Sequence, residues 1–230
     1  VRPGIVATFY VGPPVHKAAH YIADGIEHYL EFVGPDSIKT YLSQNGTYKE
    51  FNTKRLERDL KIMRSADPKE DGPDLEYSSD PDGGVGDYGI SVTGAHNDDK
   101  VFPRAVSLVR FDFPADAPDR HGLEKLVDFT LTQAAVLKAQ SGNAGLAFKR
   151  SPAFESEATK AINPLLLRYS GFDPAYHGFS MYMRDRTPSA HWINVLDKKL
   201  FAKCGGAKRL SELAKGSKLK ERDGIALVRA

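Results

Sequence analysis

Apolar positions along the chain follow two periods, and they switch several times. Ile5–Val11 is a dense, β-rich apolar run that predicts a strand, and Gly12-Pro13-Pro14 turns it. From Val15 the apolar residues Ala18, Ala19, Ile22, Ile26, Tyr29, Leu30 and Val33 recur at three and four. That spacing predicts a long amphipathic helix, which Gly34-Pro35 ends. Ser37–Gln44 reads as a second strand, before the turn signal Asn45-Gly46. Asn52 is placed to cap a helix over Thr53–Ser65 that carries Leu56, Leu60, Ile62 and Met63.

The segment Asp67–Gly86 is acidic and rich in Pro and Gly, with Leu75-Glu76-Tyr77 as a short strand inside it. Tyr88–Gly94 alternates as a strand, and Arg104–Phe113 is the clearest strand of all. Pro118–Gln140 then reads as a long helix, which Ser141-Gly142-Asn143 stops. Ala144–Lys149 is a strand, and Ser151 and Pro152 open a helix that runs through Ile162 toward Arg168. The order strand, long helix, strand, second helix thus occurs twice, from near Ile5 and from near Arg104. A similar phrase follows each copy, Tyr77-Ser78-Ser79-Asp80-Pro81 and Tyr169-Ser170-Gly171-Phe172-Asp173-Pro174. The expected fold is α+β, with two related halves (1–100 and 101–230) in one compact unit. A mixed or antiparallel sheet would carry the long helices.

The densest stretch is Leu165–Gly206. Asp173-Pro174 marks a turn, and a loop follows with Tyr176, His177, Phe179, Tyr182, Arg184 and Arg186. His191–Leu196 reads as a strand holding the sole tryptophan, Trp192, and a short helix with Leu200 and Phe201 ends at Gly205-Gly206. A core strand and helix account for Trp192, Leu196 and Phe201. They do not account for the crowd of Tyr and Arg in the loop, residue types enriched at protein interfaces. The tail supplies a short helix to Ala214 and a last strand, Ile225–Val228.

Composition narrows the class. With 41% hydrophobic and 27% charged residues in 230, this is an ordinary soluble globular chain. No apolar run approaches a membrane span and no signal peptide is visible, and the one cysteine forms no internal disulfide. The expected location is the cytoplasm. A net charge of +2 names no nucleic-acid or membrane partner. Its distribution says more: Asp67–Asp87 is acidic and Lys198–Arg222 is basic. Either run can be a solvated face, but the acidic one also suits a basic partner surface shaped for phosphates.

Catalytic signatures are missing. His16 and His20 stand at i, i+4, with Asp24 and His28 further along the same face. Lys17 occupies the place where a metalloprotease needs its glutamate. Gly89–Gly94 lacks G-x-S-x-G spacing, and Gly83-Gly84-Val85-Gly86 lacks the Lys-Ser/Thr of a phosphate loop. Cys204, beside Gly205-Gly206, reads as a structural thiol, and the basic tail has no interleaved aromatics for nucleic acid. Asp173, His177 and His191 form the one acid–base set worth carrying forward.

Three phrases carry a resemblance. Arg168-Tyr169-x-Gly171-Phe172-Asp173, Trp192-Ile193-Asn194-Val195-Leu196 and Gly205-Gly206 resemble the signature of the type VI secretion immunity family paired with VRR-type nuclease toxins. Ala7-Thr8-Phe9-Tyr10 and the helix after it extend the likeness over most of the chain. Ala190 and His191 stand where the family more often has a small apolar residue and Asn, and Cys204 where it more often has Leu. The resemblance implies an immunity protein that occludes the active site of a cognate type VI toxin in a one-to-one complex. It implies no catalysis, cofactor or metal, and no direct contact with nucleic acid or membrane. The contact candidates are Asp80, Asp82, Asp87 and Tyr88 in the first half, and Tyr176, His177, Tyr182, Arg184 and Arg186 in the second. The alternatives are a hydrolase or metal-dependent enzyme built on Asp173, His177 and His191, or an adaptor of the secretion apparatus.

Overall fold

The computed structural model describes residues 1–12, 15–65, 67, 73–95, 104–150, 155–168, 172–173, 181–187, 191–213 and 216–229. Among these, ten strands form one sheet: β1 (Arg2–Val11), β2 (Thr40–Leu42), β3 (Tyr48–Glu50), β4 (Leu75–Ser78), β5 (Gly89–Thr93), β6 (Ser107–Phe113), β7 (Ser141–Lys149), β8 (Ile193–Asp197), β9 (Lys218–Arg222) and β10 (Ile225–Arg229). The helices are α1 (Val15–Val33), α2 (Thr53–Arg64), α3 (Ala117–His121), α4 (Leu123–Val136), α5 (Glu155–Arg168), α6 (Lys198–Lys203) and α7 (Gly206–Leu213).

The sheet order is β3-β2-β4-β5-β6-β1-β7-β8-β10-β9, and the ladders between these strands are antiparallel. The architecture is therefore α+β. β1 lies at the centre, paired with β6 from Ile5↔Phe113 to Val11↔Ser107 and with β7 from Arg2↔Lys149 to Tyr10↔Ser141. Both of its faces are covered, which is why Ile5–Val11 reads as a continuous apolar run with one polar interruption, Thr8.

Ile5, Ala7, Phe9 and Val11 point to the face that α1, α2 and α4 cover. Aromatic rings fill the space beneath α1 and α4. Tyr29 stacks on Phe111 at 4.8 Å between centroids, and Phe129 meets Phe113 edge-on at 5.4 Å. The Tyr29 hydroxyl donates to the Asp112 carbonyl (2.6 Å) and accepts from the Gly89 amide (3.2 Å). Gly89 and Asp112 face each other across β5 and β6, so one phenol ties α1 to the ladder itself. Burial pushes that phenol far above its ordinary pKa, and the Asp112 charge adds to the shift.

Local signals explain several boundaries. The Asn52 side chain accepts from the Arg55 amide and caps α2 as its position predicts. The Asp197 side chain caps α6 from the Leu200 amide. The helix expected over Pro118–Gln140 is instead two helices, broken at Gly122, whose φ of 88° is open to glycine at little cost. Ser37 belongs to a 3₁₀ turn, so the strand expected from it begins only at Thr40. α5 runs on through Pro164, and the element beside it, β7, starts at Ser141 and not at Ala144. β9 was not expected: Lys-Leu-Lys-Glu-Arg shows no apolar alternation because it is an edge strand, mostly exposed. It is held from the helix side, where Lys220 reaches Glu124 (3.1 Å) and Asp128 (3.0 Å) on α4. No helix among the described residues is long and apolar enough to cross a membrane.

Phe111→Ala should lower the unfolding free energy by about 3–5 kcal/mol, because it empties the middle of the aromatic cluster. Tyr29→Phe keeps the ring and should lose only about 1–3 kcal/mol, from two unpaired backbone groups. Urea unfolding of both variants checks the ranking.

Candidate protein interface

The turn after β4 carries the first group of expected contact residues, and it is tightly built. Thr40 donates its hydroxyl to the Asp80 carbonyl (2.8 Å), and Ser78 donates to the Gly84 carbonyl (2.8 Å). The Ser78 hydroxyl also accepts from the Asp80 amide, and the Asp80 carboxylate accepts from the Asp82 amide at 2.8 Å. Ser79 and Tyr88 close the base: the Ser79 amide donates to the Tyr88 carbonyl, and the Ser79 hydroxyl accepts from the Tyr88 amide. Gly83 has φ 78°, and a Cβ there would collide with the Tyr48 ring. The glycines of 83–86 therefore serve close packing. Pro81 and Asp82 stand exposed at the tip.

Charge around this turn is mixed. Asp87 is paired with Arg2 (2.6 Å) and faces Arg120 at 3.9 Å. Asp116 accepts from Arg120 (2.8 Å), and the Tyr88 hydroxyl meets His121 at 3.1 Å. Burial lowers the His121 pKa, with Arg120 and Lys125 adding to the effect. Within the turn the acidic side chains of Asp80 and Asp82 stand beside this mixed set of charges, with Asp82 exposed.

The turn rests on a polar layer. The register places Glu76, Ser78, Ser91, Arg110, Asp112, Thr8 and Asn143 on the sheet face opposite the aromatic cluster. Arg110 Nε lies 3.0 Å from Asp112 Oδ1, with side chains only 5% and 9% exposed, and Arg110 Nη2 donates to the Arg150 carbonyl. For such a buried pair the desolvation penalty offsets much of the mutual attraction. Tyr48 donates to Glu76 Oε1 (2.8 Å). Burial raises the Glu76 pKa, while the Tyr48 hydrogen bond and Arg110 pull it back. Lys149 is fully buried and donates to the carbonyls of Gly86 (2.7 Å), Asp87 (2.8 Å) and Phe113 (3.1 Å). Glu76, Arg110, Asp112 and Lys149 belong to no motif in the sequence. The legible signal was Arg110 and Asp112 at i, i+2 inside an otherwise apolar strand.

The second group lies elsewhere. Tyr182 is 61% exposed, and Arg186 is exposed with its carbonyl accepting from Ser141 (2.6 Å). Arg184 is half-buried, and its backbone amide and guanidinium donate to the carbonyls of Arg104 and Ala105. Met183 anchors the segment by packing with Tyr10, Val106 and Leu108. Tyr176 and His177 lie outside the described residues. Residues 80–88 adjoin the Asp112 end of β6, and 182–186 adjoin its Ser107 end. The strand between them spans roughly 20 Å, so the two groups sit at opposite ends of the central strands.

Asp173 and His191 do come together: His191 Nδ1 is 3.7 Å from Asp173 Oδ2, and Asn143 donates to the same oxygen at 2.6 Å. This contact clasps the two ends of the chain segment that carries Tyr182–Arg186. His28 of the helical ladder stacks on Phe129 and bonds to Gln133, so it serves the α1–α4 contact. Among the described residues no group of three His, Cys, Asp or Glu could hold a metal ion.

Among the described residues the fold is an α+β protein on a ten-stranded antiparallel sheet, with a hydrogen-bonded acidic turn at one end. The chain belongs to the TsiV family, type VI immunity for VRR-NUC, whose model matches residues 21–230. No curated protein matches the sequence. Its structure is similar to the Pseudomonas aeruginosa T6SS protein PA0821, with a TM-score of 0.78 at 15% identity over 99% of this chain. The chain spans 65% of the length of that protein, and the likeness is one of fold.

Because the folded protein holds the Glu76 proton more tightly than the unfolded chain, this group's contribution is full below the ordinary value of 4.5. It is lost as pH rises through the raised folded value. Glu76→Gln should therefore flatten the fall in unfolding free energy over that window, as followed by urea unfolding from pH 4 upward.

Proposed function

We propose that this protein neutralises a cognate type VI toxin carrying a VRR-NUC nuclease, by binding it and occluding its active site. The observation that carries the proposal is the family match over residues 21–230. The binding is one-to-one and uses no chemistry, cofactor or metal of the protein's own, and it involves neither nucleic acid nor membrane directly.

The geometry suits this task. A nuclease cleft is built to attract phosphates, so an exposed acidic turn is its electrostatic complement. An ordered turn also binds with little ordering cost. Asp80, Asp82, Asp87 and Tyr88 would face the cleft, Asp87 as part of a pair with Arg2 and Arg120. Tyr182, Arg184 and Arg186, with Tyr176 and His177, would contact the toxin at the far end of the same strands. A standard interface of roughly 800 Å² per partner is wide enough to cover both groups. The division into halves 1–100 and 101–230 belongs to the same reading: β1 and β6, which open the halves, lie side by side at the centre of the sheet.

Calorimetric titration with the VRR-NUC protein encoded beside the gene should give one-to-one binding with nanomolar Kd or tighter, and parallel loss of nuclease activity. Asp82→Lys should weaken binding at least tenfold, more at low salt, and Tyr182→Ala at least tenfold at any salt. Absence of binding would sink the reading. Tight binding untouched by both substitutions would move the interface elsewhere.

A further inference from the structure

Lys149 is the last residue of β7, and its side chain crosses β1 above Gly4. A Cβ at residue 4 would lie 2.8 Å from both Lys149 Cδ and the Phe113 carbonyl, so glycine there leaves room for the crossing. The ammonium then ends among three carbonyl oxygens, and it has three protons to give. Two acceptors, Gly86 and Asp87, belong to the acidic turn, and the third, Phe113, belongs to the end of β6. The charge is thus fully buried and fully hydrogen-bonded, with Asp112 and Asp87 nearby to favour it and Arg2 and Arg110 to oppose it. Burial nonetheless lowers its pKa, a sign that the site is held together against a desolvation cost.

The turn has two arms. Thr40 and Ser78 tie the Asp80–Gly84 arm from the β2 and β4 side. Lys149 ties the Gly86–Asp87 arm to the ends of β6 and β7, from a residue more than sixty positions away. We propose that Lys149 is a positioning residue that fixes the acidic turn against the central strands, and so sets the affinity for the nuclease toxin. This rests on the toxin-binding reading above. The ammonium touches no part of the partner. It acts by keeping the turn in the binding geometry, and affinity falls by the fraction of molecules in which that geometry is lost.

The test uses Lys149→Met and Lys149→Arg, with Gly4→Ala as a second way to displace the same side chain. Amide hydrogen exchange is compared between peptides spanning 79–88 and 107–113, and Kd is measured for the VRR-NUC protein encoded beside the gene. In Lys149→Met the 79–88 amides should exchange at least tenfold faster while the β6 amides keep wild-type protection, and Kd should rise at least tenfold. Lys149→Arg, which keeps the charge and its donors, should recover part of both effects. If Lys149→Met does not fold, Gly4→Ala should show the same local loosening. Unchanged exchange at 79–88 in a folded variant overturns the proposal. Faster exchange with unchanged Kd overturns it too, while leaving the toxin-binding reading intact. Failure of the wild-type protein to bind overturns the toxin-binding reading and, with it, the claim on affinity.

Discussion

The whole fold hangs on β1. Ten residues at the start of the chain occupy the middle of the sheet, and both neighbours come from about a hundred residues or more downstream. Among the described residues, the other strands join the sheet through β6 or β7. The strand must be apolar on the face that α1 and α4 cover, where Phe9 sits, and able to live with polar neighbours on the other, where Thr8 sits opposite Arg110 and Asn143. Such a topology closes long loops before its contacts reward them, so the aromatic cluster under α1 and α4 has to compensate for a large entropic cost.

The two faces of the sheet do different work. One is a packed aromatic core, closed by Tyr29 where α1 meets the β5–β6 ladder. The other carries the buried polar side chains of Glu76, Arg110, Asp112 and Lys149. The acidic turn 79–88 is tied to that face through Ser78 and Lys149. Its hydrogen bonds come from β2, β4 and β7, so its shape is set by the sheet. A preformed surface of this kind loses little entropy on binding.

Much of this was legible in the residues. The period of α1, the Asn52 cap, the apolar run of β1 and the strand expected over His191–Leu196, which forms as Ile193–Asp197, all act locally, so local pattern found them. The family likeness was carried by the same stretch, and the match extends over residues 21–230. What escaped was set by distant partners. β9 is charged because it is an edge, and its place is decided by Glu124 and Asp128 on α4. Arg110 and Lys149 look like solvent-facing residues of half-buried strands until the turn is laid over them. The glycines of 83–86 carry no motif in the sequence, and it is the Tyr48 ring and the Asp80 carbonyl that make that stretch compact.

The most direct test of the central claim is the crystal structure of this protein bound to the VRR-NUC toxin proposed as its partner. The account predicts the acidic turn 79–88 seated over the nuclease active site, its backbone moved by about 1 Å or less from the free form. A toxin bound to the outer surfaces of α1 and α4, with its catalytic cleft open, would contradict it. So would a turn that rearranges to bind.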